Sequence, residues 1–310
     1  MTRQLYTNLT LTGFLITLIG SVLFSTKAIL VKLAFAHTNM EALTLLTFRM
    51  IFSLPFYVVA AWIGSRNKER VQFSKRQWLI IIGLGLFGYY LSSLFDFIGL
   101  QYISAGLERL ILFLYPTFAV LINVFYFKQK ITRIQQLALL LTYIGIALAY
   151  FGELKIDSDN PHFYLGSGLI FLCAITYATY IVGSGRMIPQ VGVTRFTAYA
   201  MLSSTAGVFI HFALAGDTDQ LQAAGQYWWY GLLLAIIATV IPTFLISMGM
   251  KKIGSNNVAI ISSIGPVSTI IQANLILKEK IFVAQIIGTV LVIAGVLLIG
   301  WKRPKNLEQT

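Results

Sequence analysis

The chain has 310 residues, of which 57% are hydrophobic and only 11% are charged, and its formal net charge is +12. An ordinary soluble domain is about 25% charged because it must hydrate its whole surface, so this composition excludes one. The basic residues lie between hydrophobic runs, as in membrane proteins, and so indicate no nucleic-acid partner. One cysteine and three scattered histidines exclude an internal disulfide and predict no metal or cofactor site.

Apolar stretches of about 20 residues recur along the whole chain, and each can cross about 30 Å of hydrocarbon as a helix. The connections between them are short, so we expect an all-α membrane protein with no separate soluble domain. The first stretch is too long for a signal-peptide core and is interpreted as a retained helix. The ten predicted transmembrane helices cover residues 12–35, 43–63, 78–98, 104–127, 134–152, 163–183, 194–214, 229–250, 256–277 and 282–301.

The distribution of positive charge predicts the orientation. With the N-terminus inside, the cytoplasmic segments hold 16 lysines and arginines and the outer segments hold 3. Cytoplasmic loops of membrane proteins carry this excess, so both tails, 1–11 and 302–310, are predicted to be cytoplasmic. The tryptophans fall at span ends, where interfacial aromatic belts place them: Trp62, Trp78, Trp228, Trp229 and Trp301.

The two halves of the chain resemble each other. A shift of 150 residues aligns Pro116 with Pro266 and the segment Lys128-Gln-Lys-Ile with Lys278-Glu-Lys-Ile. We therefore predict two five-helix repeats, over 12–152 and 163–301. Because five crossings change sides of the membrane, the second copy must be inverted, which is the architecture of many alternating-access transporters.

Charged residues inside the first four predicted helices are the sharpest functional signal. Each charge near the bilayer centre costs about 3 kcal/mol even on a lenient scale, so such residues face a cavity or one another. They are predicted to bind substrate or to control a gate, and the alternative is a structural ion-pair network at the outer rim. Counted with Lys32, their charges sum to +2, which favours a substrate with an anionic part. The candidates are Lys27, Arg49, Asp96, Glu108 and Arg109.

Aromatic residues and prolines add weaker candidates. Tyr177 and Tyr180 are three residues apart and so share one helix face. Together with Tyr115 they are predicted to line the cavity, although membrane aromatics more often face lipid or a neighbouring helix. The symmetric Pro116 and Pro266 are predicted hinges, with static kinks as the alternative.

Sequence motifs for catalysis are missing. There is no G-x-x-x-x-G-K-[ST] loop for ATP hydrolysis and no H-E-x-x-H motif or nucleophile elbow, so we do not expect an enzyme. The prediction is a secondary transporter of a small molecule in the lipid bilayer. Two alternatives stay open: a membrane-embedded enzyme acting on a lipid-like substrate, and a non-transporting membrane sensor or scaffold.

Several stretches resemble the ten-helix EamA branch of the drug/metabolite transporter superfamily. They are GSVLFSTKAILVKLAF, LTFRMIFSLPF, YPTFAVLINVFYFKQKIT and GPVSTIIQANLILKEKIF. The resemblance covers essentially the whole chain and implies a multi-pass transporter of the cell inner membrane. It implies a proton-coupled or facilitated exporter of amino acids or other metabolites. For the oligomeric state, a monomer and a homodimer both stay open. In this branch, the proline of helices 4 and 9 is followed by a short charged turn that usually contains a glutamate in both halves. Here Glu279 keeps that glutamate and Gln129 replaces it.

Overall fold

The computed structural model describes residues 11–66, 72–126, 128, 133–154, 160–262 and 264–301, and the regular structure in these ranges is helical. Some parts of the chain that carry predictions lie outside the described residues. These are the two tails, except for Leu11, together with Gln129 and the side chain of Trp301. The α-helices are α1 (Leu11–His37), α2 (Ala42–Arg66), α3 (Lys75–Gly83), α4 (Ser92–Gly99), α5 (Ala105–Leu112), α6 (Tyr115–Phe125), α7 (Arg133–Leu154), α8 (Phe163–Val191), α9 (Val193–Ala215), α10 (Thr218–Ala223), α11 (Trp228–Ala235), α12 (Ile241–Ile261), α13 (Ile264–Gln272) and α14 (Val283–Trp301).

Seven helical segments in the described ranges are long and apolar enough to cross a membrane. Three shorter apolar helices cover Leu139–Leu154, Ile264–Leu277 and Val283–Gly295. The predicted all-helical fold is therefore confirmed, whereas the count of ten crossings stays a prediction. The seven segments are Leu11–His37, Ala42–Arg66, Lys75–Gly99, Ala105–Ile122, Phe163–Val191, Val193–Ala215 and Thr218–Gly254.

Large apolar side chains cover the outside of the helix assembly. Leu79, Leu214 and Val283 are 72%, 82% and 73% exposed. A soluble protein would not expose so many, but lipid solvates them, and a helix satisfies its own backbone hydrogen bonds there. Trp62 and Trp228, at helix ends, are also exposed, as an interfacial belt requires.

Helix starts follow from local sequence where the chain enters a span. α3 begins at a capping box: the Gln77 N–H donates to Ser74 Oγ at 3.2 Å, and the Ser74 N–H donates to Gln77 Oε1 at 2.9 Å. These bonds satisfy backbone donors that have no partner within the helix. From there α3, a π-helical segment (Leu84–Leu91) and α4 form one continuous span.

Each of the two predicted hinge prolines follows an interruption of a helix. Phe113 and Leu114 form a turn between α5 and α6, and Pro116 is the second residue of α6. Pro266 is the third residue of α13, which follows the end of α12. A proline in the first helical turn removes no helical hydrogen bond, so both positions suit the residue. Whether they act as hinges stays a prediction.

α7 and α14 pack closely through a reciprocal glycine contact. A Cβ atom on Gly145 would lie 2.6 Å from the Gly288 carbonyl oxygen, and a Cβ on Gly288 would meet the Gly145 carbonyl oxygen. Small residues let two membrane helices bring their backbones together, so these glycines set the distance between α7 and α14.

Replacing either glycine by alanine is therefore expected to destabilise the protein. Gly145→Ala and Gly288→Ala should each lower the free energy of unfolding by about 1–3 kcal/mol, the usual cost of overpacking. Denaturant titration in mixed micelles measures this. The matched control is Gly168→Ala in α8, where a Cβ would meet nothing within 4 Å. Equal stability of all three variants would contradict the packing argument.

Candidate functional site

Three charged residues from three helices meet in the interior. Lys27 Nζ of α1 lies 2.8 Å from Asp96 Oδ2 of α4 and 3.9 Å from Glu108 Oε1 of α5. Both carboxylates are fully buried, and Lys27 is 5% exposed. The structure thus brings together three of the predicted residues. A buried charge is stable only when it is paired, so this cluster holds α1, α4 and α5 in register.

The short helix α5 positions Glu108, and its N-terminus is held from outside the helix. Ser104 Oγ accepts the Leu107 N–H at 3.0 Å, as an N-cap does. The Glu279 carboxylate accepts the N–H groups of Ala105 and Gly106 at 3.0 and 3.3 Å. A carboxylate suits a helix N-terminus because the helix dipole is positive there. Glu279, in the second half of the chain, therefore anchors a helix of the first half.

Arg109 follows Glu108 on α5 and so points about 100° away from it. Its Nε donates to Thr269 Oγ1 of α13 at 3.0 Å, and its Nη2 donates to the Phe24 carbonyl oxygen of α1 at 3.1 Å. The side chain is 4% exposed. Arg109 therefore connects α5 to α1 and α13, while Glu108 turns towards Lys27.

Arg49 of α2 is buried among hydroxyl groups. Its Nε donates to Thr239 Oγ1 at 2.7 Å, its Nη1 to Ser93 Oγ at 3.3 Å and its Nη2 to the Tyr89 hydroxyl at 3.2 Å. Its guanidinium also lies 5.4 Å from the Phe97 ring centre. Tyr89 and Thr239 belong to π-helical segments, Leu84–Leu91 and Ile236–Val240. Such segments are rare within regular helices and are frequently found at functional sites.

Two adjoining cavities lie against these cations. The first, the Arg109 chamber, has a volume of about 40 Å³, and its polar lining includes Ser21, Ser25, Arg109, Tyr115 and Ser262. The second, the Lys27 chamber, has a volume of about 10 Å³, and its polar lining includes Lys27, Arg49, Ser92, Ser93 and Cys173.

A partition of three residues is common to both chambers: Phe24, Leu112 and Tyr177. The rings of Phe24 and Tyr177 are stacked with centres 6.1 Å apart. Lys27 Nζ lies 5.3 Å and the Arg109 guanidinium 5.7 Å from the Phe24 ring centre. Phe24 is therefore a wall common to both chambers, and one cation from each chamber lies near its ring, which cation–π attraction favours.

The predicted tyrosines take different places. Tyr115 and Tyr177 line the Arg109 chamber, and their ring centres are 5.1 Å apart. Tyr180, as the structure describes it, lines neither chamber; its ring packs between those of Tyr177 and Tyr89 at 6.2 and 5.4 Å. Tyr180 is therefore not in contact with either chamber, and its predicted role at the cavity stays a prediction.

The charges that reach the chambers are positive. Lys27, Arg49 and Arg109 line them, whereas Asp96 and Glu108 stand behind Lys27 and are not part of either lining. With the surrounding hydroxyl groups, this arrangement can hold a carboxylate or another anionic group by charge-assisted hydrogen bonds.

Sequence reasoning missed the neutral partners of the arginines. Thr239 and Thr269 lie in apolar helices, where a threonine is common and its side-chain partner cannot be read from spacing. Phe24 was also missed, although it lies three residues before Lys27 and so on the same helix face. That spacing was the one available signal.

Taken together, the apolar helices and the buried charges define a multi-pass membrane protein with cationic groups in its interior. The model of the EamA-like transporter family matches residues 11–151 and 164–301. The chain therefore belongs to the EamA-like transporter family, within the drug/metabolite transporter superfamily.

Similar proteins carry the same general description. The chain is 33% identical over 286 residues to the uncharacterized transporter YcbK of Bacillus subtilis, covering 89% of this chain and 88% of YcbK. It is 25% identical over 226 residues to the uncharacterized transporter YetK of the same organism, covering 72% and 68%. A crystal structure at 17% identity matches with a TM-score of 0.66 over 93% of this chain and 95% of that chain. Identity this low shows the fold alone.

The bond from Arg49 to Thr239 is expected to contribute measurably to stability. Thr239→Val keeps the shape but leaves a buried guanidinium N–H without its acceptor, so the free energy of unfolding should fall by about 2 kcal/mol. Denaturant titration of the purified variants checks this. Thr26→Val is the matched control, because the Thr26 hydroxyl donates to the Val22 carbonyl of its own helix. A loss at position 26 as large as at position 239 would contradict the assignment.

Proposed function

We propose that the protein is a secondary transporter that exports a small metabolite with an anionic group, such as an amino acid or a related organic compound. The observation that carries the proposal is the pair of chambers lined by Lys27, Arg49 and Arg109 inside a chain of a transporter family. The direction, export from the cytoplasm across the cell inner membrane, is proposed from the resemblance of the sequence motifs to the EamA branch.

The chemistry of the Arg109 chamber supports this class of substrate. Arg109 offers a planar guanidinium that pairs well with a carboxylate, and Ser25 and Ser262 add hydroxyl groups on the same cavity. Phe113 and Tyr177 supply apolar walls. A substrate with an anionic end and an apolar body would use both features, as ligand sites usually do.

Transport by alternating access would account for the small size of the chambers. Ligand pockets usually have about 300–1,000 Å³, whereas the Arg109 chamber has about 40 Å³. A metabolite therefore fits only after the surrounding helices move apart. Phe24, Leu112 and Tyr177 would have to separate for a substrate to pass from one chamber to the other.

The proposed architecture is ten crossings in two inverted repeats, 12–152 and 163–301, with both termini in the cytoplasm. Two features support it. The family model matches the chain twice, over 11–151 and 164–301. Lys128 and Lys278, which are 150 residues apart, are the two non-glycine residues with positive φ in the described part of the chain, at 54° and 59°. Positive φ is uncommon outside glycine, so its recurrence at aligned positions favours a duplication.

Cysteine labelling tests the inverted repeat. In a Cys173→Ser background, Lys278→Cys should react with a membrane-impermeant maleimide in intact cells, and Lys128→Cys should react only after permeabilisation. The Cys173→Ser protein without an added cysteine is the control for non-specific reaction. Labelling of both positions from the same side would overturn the inverted arrangement.

Reconstituted transport tests the function. Liposomes containing the purified protein are assayed by counterflow with labelled amino acids, organic anions and amines. At least one solute with an anionic group should show saturable uptake, and Arg109→Gln should reduce it at least about tenfold, since charged hydrogen bonds contribute about 1.5–3 kcal/mol.

The matched control for that assay is Arg76→Gln, which removes an exposed arginine at the start of α3 and should leave uptake unchanged. Uptake confined to amines would contradict the proposed substrate class. No saturable uptake of any solute would favour the two alternatives, an enzyme acting on a lipid-like substrate or a sensor or scaffold.

A further inference from the structure

The buried cluster of Lys27, Asp96 and Glu108 contains two carboxyl groups and one ammonium group. Asp96 and Glu108 are both fully buried, and both lie against the same ammonium group, 2.8 and 3.9 Å from Lys27 Nζ. Among the described residues, Lys27 is the only basic group within 4.0 Å of either carboxylate. Two ionised carboxylates would therefore leave one buried negative charge without a contact partner, which a low-dielectric interior strongly disfavours.

The other charged and titratable groups around the pair make no ion pair within 4.0 Å and no hydrogen bond with either carboxylate in the part of the chain that the structure describes. Arg109 acts on both carboxylates at longer range, but its guanidinium donates to Thr269 and to Phe24. The surrounding groups, by element, are Lys27 of α1, Arg49 of α2, Tyr89 of the π-helical segment before α4, Arg109 of α5, Tyr115 of α6, and Cys173 and Tyr177 of α8.

The carboxylate oxygens have unused acceptor capacity. None of the four accepts a hydrogen bond from a hydroxyl, amide or guanidinium group of the described residues. Buried carboxylates are usually surrounded by such donors. Because both carboxyl groups contact the same Lys27 ammonium, the O–H of one protonated carboxyl group is a donor available to the other.

We propose that Asp96 and Glu108 together bind one proton, with Lys27 as the counter-ion of the negative charge that remains. The proton comes from water and forms one O–H bond on a carboxyl oxygen, and that O–H donates to the other carboxylate. Two carboxylates this close share a proton because both cannot ionise cheaply, and the proton belongs to the pair rather than to either residue.

Lys27 connects this proton site to the substrate pathway. Its ammonium contacts Asp96 on one side and lines the Lys27 chamber on the other. An anion in that chamber would draw Lys27 away from the pair, and loss of the counter-ion would change how tightly the pair holds its proton. This coupling step rests on the proposed transport function, whereas the binding of the proton does not.

Infrared spectroscopy of the full-length protein in liposomes tests the proton site, and the measurement needs no substrate. At neutral pH the wild type should show the carbonyl stretching band of a protonated carboxylic acid, and the band should shift in D₂O. Glu108→Gln and Asp96→Asn should each abolish it, because Lys27 then balances the single carboxylate that is left. Glu41→Gln, at an exposed carboxylate, is the matched control and should keep the band.

Labelling the wild type with ¹³C-aspartate or ¹³C-glutamate gives a second measurement that needs no variant. The band should shift with one label or the other. A wild type without the band, a band that shifts with neither label, or a band that survives in both variants would overturn the proton site. If the band is present and no solute is transported, only the proposed function fails; if transport occurs without the band, only the proton site fails.

Discussion

A charge in an apolar interior must be balanced by an opposite charge or by hydrogen bonds. In this protein the buried ion pair of Lys27 and Asp96 is the contact that meets this requirement most directly. Their contact at 2.8 Å joins α1 to α4, and Glu108 extends it to α5. Removing one partner of a buried pair typically costs about 3–5 kcal/mol, because the other charge stays buried without compensation. Lys27 therefore both takes part in positioning these helices and lines a chamber.

The two halves of the chain contribute different chemistry to this arrangement. The first half supplies the ions, including Arg49 and Arg109. The second half supplies neutral acceptors for them, Thr239 and Thr269, and the Glu279 carboxylate that caps α5. An arginine engaged in this way keeps its charge and is held in one orientation, so the site is preorganised by side chains from the other half of the sequence.

This division bears on movement as well as on binding. Contacts that join the halves, such as Arg109 with Thr269 and Glu279 with α5, must break or slide if the halves move relative to each other. They are hydrogen bonds of modest net energy, about 0.5–3 kcal/mol each, and in the proposed transport cycle a bound solute would have to compensate for their loss. The partition at Phe24 and Tyr177 is made of stacked rings, which separate without leaving a polar group unsatisfied.

The sequence by itself determined the membrane class, the positions of most apolar helices and most of the buried charges, although not Glu153, because hydropathy and the cost of a buried charge are local properties of the chain. It also located Pro116 and Pro266 at aligned positions. Only the tertiary structure decided which charges meet. Lys27 and Asp96 lie on different helices, and their contact at 2.8 Å follows from how α1 packs near α4. Hydroxyl partners such as Thr239 lie far away in sequence, and a contact between distant helices leaves no periodic pattern in either one.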